Sequence, residues 1–158
     1  MALIDITYFF GEFNIAGKAH QEVASNITRY IDTYEPEYLE AALGEDFAAL
    51  FNAQPLDPRF NDLQAMLEKK PSPVAGCVFF HYQRDNGIIA TGAGDARSKS
   101  ENSERSPEVY RMTKAWNIMA KKTRKIQRYL MDNAVTFPEF DICKTDRFLV
   151  EPINSFGL

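Results

Sequence analysis

Apolar residues recur at three- and four-residue steps through most of the chain, which predicts a mainly α-helical fold. Val23, Ile27, Tyr30, Ile31 and Tyr34 share one face of a helix expected over roughly 18–33. Pro36 is expected to open a second, short helix carrying Tyr38, Leu39, Ala42 and Leu43, with Gly44 as its stop. Glu45 to Phe51 predicts another short helix, and Pro58 to Lys69 a further amphipathic one through Phe60, Leu63, Met66 and Leu67. Glu35-Pro36, Asp57-Pro58, Ser72-Pro73 and Ser106-Pro107 share one start signature, proline at the first helical position. Proline loses nothing there, because its missing N–H would have been unpaired anyway.

Val74 to Tyr82 is apolar nearly all round, as a helix in the middle of a domain would be. A buried strand is the competing reading, but the Ser-Pro start and the run to Arg84 favour helix. Ile88–Thr91 then predicts a short strand, Gly92–Asp95 a turn, and 96–100 a returning partner. In the last long helix, Val109, Met112, Ala115, Trp116, Met119, Ile126 and Leu130 fall within about 120° of one another. Arg111, Lys114, Lys121, Lys125 and Arg128 fall opposite, so one side should pack and the other stay wet. The expected fold class is therefore a small helical bundle with a long β-hairpin-like arm and an extended C-terminal tail. Residues 1–158 form one domain, 86–106 a protruding arm and 136–158 a docking tail.

Twelve Phe and seven Tyr exceed what a minimal core needs, which suggests that some face a partner. Phe148, Leu149, Val150, Ile153, Phe156 and Leu158 are too many apolar groups for a solvated end, and the tail is expected to dock on this subunit or on another. The net charge of −4 is uneven: residues 1–60 hold ten acids against three bases, and residues 106–134 seven bases against two acids. Two readings stand side by side. The opposite charges steer one copy onto the next, or they face each other within one fold.

Two cysteines, Cys77 and Cys143, imply no disulfide framework. No basic region precedes the first apolar residues, and no run approaches the ~20 apolar residues of a membrane span. The chain therefore reads as cytoplasmic at synthesis. Cys77 and His81 stand four apart, as metal ligands sometimes do, but His20 and Cys143 are remote, so a core thiol and imidazole are the plainer account. Gly92-Ala93-Gly94 lacks the third glycine of a dinucleotide loop, and the acids of 35–46 read as a solvated face. No residue is nominated as catalytic, and no cofactor or metal is expected.

The block Tyr30-Ile31-Asp32-Thr33-Tyr34-Glu35-Pro36-Glu37-Tyr38-Leu39, closed by Leu43-Gly44, resembles small structural proteins of phages infecting Bacteroidetes. So do Phe79-Phe80-His81-Tyr82-Gln83-Arg84, Gly94, Glu101-Asn102-Ser103 and Ala115-Trp116-Asn117. The family is that of head–tail connector proteins (adaptor or neck ring), including those of crAss-like phages. The resemblance implies a helical subunit in a ring, dodecameric in that family, below the portal protein. It also implies arms reaching an adjacent neck or tail ring, and DNA passing through the lumen without sequence-specific contact. The protein would then belong to the virion and, during assembly, to the host cytoplasm.

Two functions follow as expectations. In the first, Ile88, Ile89, Thr91 and Arg97 of the arm, and Phe148, Leu149, Ile153 and Phe156 of the tail, form inter-subunit contacts, which requires the tail to rest on another chain. In the second, the basic face of helix 107–131, through Arg111, Lys114, Lys121, Lys125 and Arg128, binds nucleic acid or an acidic partner.

Overall fold

A computed structural model describes residues 2–53, 57–86, 88–91, 94–97 and 107–154, the backbone alone for 88–91, 94–97, 107 and 108. Among the described residues five α-helices carry the fold: α1 (Gln21–Leu43), α2 (Glu45–Asn52), α3 (Asn61–Glu68), α4 (Pro73–Asn86) and α5 (Pro107–Asp132). α4 is the centre. Every side chain from Pro73 to Phe80 is buried, with α1 packed on one side and α5 on the other. Gly76 is what lets α4 and α5 approach: a Cβ there would stand 3.1 Å from Met119 Cβ and 3.3 Å from the Ala115 carbonyl oxygen. Ser72 fixes the start of α4, its Oγ donating to the Leu67 carbonyl at 2.7 Å and accepting from Ala75 N–H at 3.4 Å. Asp57 likewise caps the 3₁₀ turn Pro58–Phe60 that leads into α3.

The helix expected to open at Pro36 does not exist as a separate element. α1 runs unbroken for 23 residues with Pro36 inside it. A mid-helix proline forfeits one hydrogen bond and crowds the preceding turn, and the surrounding packing holds the helix through it. Ile27 and Ile31 before the proline and Tyr38, Leu39 and Ala42 after it are all buried. Glu35, 6% exposed, accepts hydrogen bonds from the backbone N–H of Leu3 (2.9 Å) and Ile4 (3.3 Å). That carboxylate ties the N-terminal segment to the middle of α1, and Leu3, Ile4, Phe9, Phe13 and Ile15 complete the core. Gly44 does stop α1, at φ +84°, and its N–H closes on the Glu40 carbonyl at 2.9 Å.

The long β-hairpin arm is corrected. The body is helical throughout, and strand pairing among the described residues is confined to a ladder of four residues a side, Ile88–Thr91 against Gly94–Arg97. A ladder of four residues a side is short of the long arm expected, and two such strands are marginal by themselves. Residues 98–106 of the expected arm lie outside the described residues. Over residues 136–154 the tail is also not extended. It folds back over the body in two 3₁₀ turns, Ile142–Lys144 and Arg147–Val150, each capped by the aspartate before it.

Candidate functional site

The chain leaves α5 at Asp132 and turns back onto α2 and the turn before α3. Phe137 is buried there, stacked on Phe60 with centroids 5.8 Å apart and edge-on to Phe47 at 6.1 Å. Arg59 Nη1 clamps this return, donating to both Glu139 oxygens at 3.0 Å and to the Thr136 carbonyl at 3.2 Å. Further on, Asp146 N–H donates to the Ala41 carbonyl (2.8 Å), and Lys144 pairs with Asp46 at 2.6 Å beside Gly44.

The last described stretch lies along α5. Arg124 donates to the Val150 carbonyl (2.6 Å) and Trp116 Nε1 to the Glu151 carbonyl (2.8 Å). Asn117 makes two bonds with the Ile153 backbone, donating at 3.0 Å and accepting at 2.9 Å. These bonds are to main-chain atoms, so they hold the segment's path whatever side chains it carries.

The expectation that the tail rests only on another chain is therefore corrected for 136–154. Leu149 is buried on its own subunit and Ile153 half-buried there, because α5 supplies both the apolar wall and the donors. Phe148 is the exception: it sits on the capped turn opposite Leu149 and is 74% exposed. Val135 and Ile142, earlier in the returning chain, are exposed as well. Phe156 lies outside the described residues. Ile88, Ile89, Thr91 and Arg97 are placed only as backbone in the short ladder.

Between α1, α4, α5 and the tail lies a half-open cleft of about 410 Å³, walled by Tyr34, Phe80, His81, Trp116, Leu149 and Ile153. His81 stacks on Tyr34 with centroids 4.0 Å apart and planes 5° from parallel. Burial pushes its pKa down to about 4, with the neighbouring Arg84 adding to the effect, so the imidazole is neutral at pH 7. Cys77, one turn below, is buried and its thiol is pushed up to about 12, which leaves it protonated and poorly nucleophilic. Among the described residues no three of His, Cys, Asp and Glu gather at metal-binding distance. Sequence reasoning missed this cleft, since Tyr34 and His81 lie 47 positions apart and only the tertiary packing of α1 on α4 joins them.

α5 carries the stripe its pattern predicts: Met112, Ala115, Met119, Ile126 and Leu130 are buried, with Trp116 half-buried. Its basic side divides in two. Arg111 donates to the Asn14 carbonyl and lies 5.2 Å over the Phe79 ring. Lys114 pairs with Glu12 at 2.7 Å, Lys122 donates to the Lys69 carbonyl, and Arg124 holds the tail. Those four brace the body. Lys121, Lys125 and Arg128 are exposed and, among the described residues, make no ion pair. At steps of four and three they form one ridge down the helix.

No described helix is long and apolar enough to cross a membrane. Comparison with family models, with curated proteins and with solved structures finds no match to this chain.

Proposed function

We propose that this chain is a structural subunit of a phage head–tail connector, which assembles with copies of itself into a ring between the portal protein and an adjacent neck or tail ring. The genome passes through the lumen without sequence-specific contact, and the subunit performs no catalysis. The protein works in the virion and reaches it from the host cytoplasm. One observation carries the reading on the structural side. The tail is pinned to its own body by main-chain hydrogen bonds, yet holds Phe148 outward on a capped turn. A turn whose backbone is already held in this way needs less ordering when a partner docks on Phe148, which lowers the cost of that contact. The resemblance of 30–44 and 79–117 to connector proteins supplies the identity of that partner.

Mass photometry of the purified chain, alone and mixed with the portal protein of the same phage, tests the proposal. A closed oligomer or a portal-bound ring is expected. A chain that stays monomeric in both mixtures removes the structural role.

The ridge Lys121, Lys125 and Arg128 favours a second reading, a helical nucleic-acid-binding module. Three phosphate contacts give a salt slope of only about −3 in log K against log salt. A DNA affinity falling more steeply than that would demand the braced cations as well, and so a different structure for this face.

A further inference from the structure

We infer that the ridge Lys121, Lys125 and Arg128 on α5 docks against the acidic strip Asp32 and Glu40 on α1 of a second copy, head to tail. This rests on the ring reading above and names the surfaces that build it.

The fold separates two charged faces that the sequence left free to neutralise each other. Among the described residues the acids and bases that do meet within the subunit are Asp57 and Glu139 with Arg59, Asp85 with Arg84, Glu12 with Lys114, and Asp46 with Lys144. Neither the ridge nor the strip takes part. Asp32 and Glu40 are exposed and, among the described residues, have no ion-pair partner. At 3.6 residues per turn both fall at least about 120° round α1 from Tyr34 and Tyr38 and about 80° from each other, with Asp32 bordering the buried Ile31 and Leu39. The ridge sits on the outer side of α5, away from the buried Met119, Ile126 and Leu130.

The spans match. Eight residues separate Asp32 from Glu40, about 12 Å along a helix, and seven separate Lys121 from Arg128, about 10 Å. Beside Asp32 a cleft of about 290 Å³ is lined by Ala2, Ile31, Asp32, Glu35, Leu39 and Asn52. It has room for one long cationic side chain beside Asp32, while the Glu35 carboxylate there is already held by the Leu3 and Ile4 N–H groups.

A nucleic acid would engage the ridge and leave the strip and its cleft unaddressed. A second copy engages both. Because the two patches differ, each contact leaves one ridge and one strip open, and addition continues until a ring closes. The net charge of −4 opposes association at long range, but screening confines that repulsion to about 8–10 Å, while the local contact is complementary.

Reciprocal charge reversal tests this. Lys121→Glu/Lys125→Glu/Arg128→Glu makes both patches acidic, and Asp32→Lys/Glu40→Lys makes both basic. All altered positions are exposed, and circular dichroism checks that each variant folds. Each variant alone should associate at least about tenfold more weakly than the parent chain, since like charges then meet. An equimolar mixture of the two should assemble again, with copies alternating, and should come apart as salt is raised. If the parent chain assembles and the triple variant assembles equally well, the surface assignment is overturned and the ring reading stands. A triple variant that loses retention of duplex DNA while associating normally overturns it in favour of nucleic acid. A parent chain monomeric at every concentration, with and without portal, overturns both.

Discussion

The indole Nε1 of Trp116 donates to the main-chain carbonyl of Glu151 across 2.8 Å, and so couples the middle of α5 to the returning tail. Trp116 also lies 4.9 Å from Phe80 and lines the cleft of about 410 Å³. Trp116→Phe keeps most of the ring and loses the donor. The expected cost is about 1 kcal/mol, the net worth of a typical hydrogen bond. Urea denaturation followed by circular dichroism measures it, since the variant has lost the single tryptophan of the chain.

Gly76 marks the closest approach of α4 and α5. A methyl group there meets Met119 Cβ and a backbone carbonyl, neither of which can swing aside. Gly76→Ala gains helix propensity of about 1 kcal/mol and still should lower stability, because overpacking a tight contact costs about 1–3 kcal/mol. Gly76→Leu should leave little folded protein. Thermal unfolding of the two variants gives the order.

Glu35 holds the N-terminal segment through two backbone N–H groups. Burial raises its pKa, and those two donors act against that rise. Glu35→Ala leaves both donors without an acceptor near buried Leu3 and Ile4, for an expected loss of about 2 kcal/mol. Glu35→Gln keeps one acceptor and should cost less. Limited proteolysis should show early cleavage within residues 2–15 of the alanine variant.

His81 gives the fold a pH dependence of definite sign. Its pKa falls from 6.5 to about 4 on folding, so the unfolded chain takes up that proton first as pH drops. Its contribution is complete above about pH 6.5 and is lost progressively towards pH 4. Nδ1 is buried with no hydrogen-bond partner among the described residues. His81→Phe keeps the stack on Tyr34 and removes both the titration and the unpaired nitrogen. The variant should match or exceed the parent chain at pH 7, and its melting temperature should fall less between pH 6.5 and 4.

The helices were legible where one local rule and the apolar pattern agreed. Pro58, Pro73 and Pro107 open their elements as the proline signature predicts, and Gly44 closes α1. Pro36 shows the two in conflict. Ile27, Ile31, Tyr38 and Ala42 continue one stripe straight through it, and the stripe won because burying those side chains outweighs one lost hydrogen bond. The N-terminal residues were not assigned to the core, since 3₁₀ turns have no long period to detect. At the candidate site, the need of the tail for an apolar surface was visible in its composition. Its choice of α5 was not, because that depends on Trp116, Asn117 and Arg124 offering donors some 26 to 36 positions away. The two-sided pattern of α5 was legible, but which of its cations stay uncommitted became visible only once Asn14, Glu12, Lys69 and Val150 were in place.

The enclosure of α4 also supplies a gauge. Amides between Gly76 and Phe80 have no local route to solvent, so they should exchange hydrogen only when the whole molecule opens. A neighbour that grips only the native subunit slows that opening by mass action, wherever it binds. Deuterium uptake in this one stretch would thus register each step of incorporation, even for a contact made entirely on the far rim of the protein.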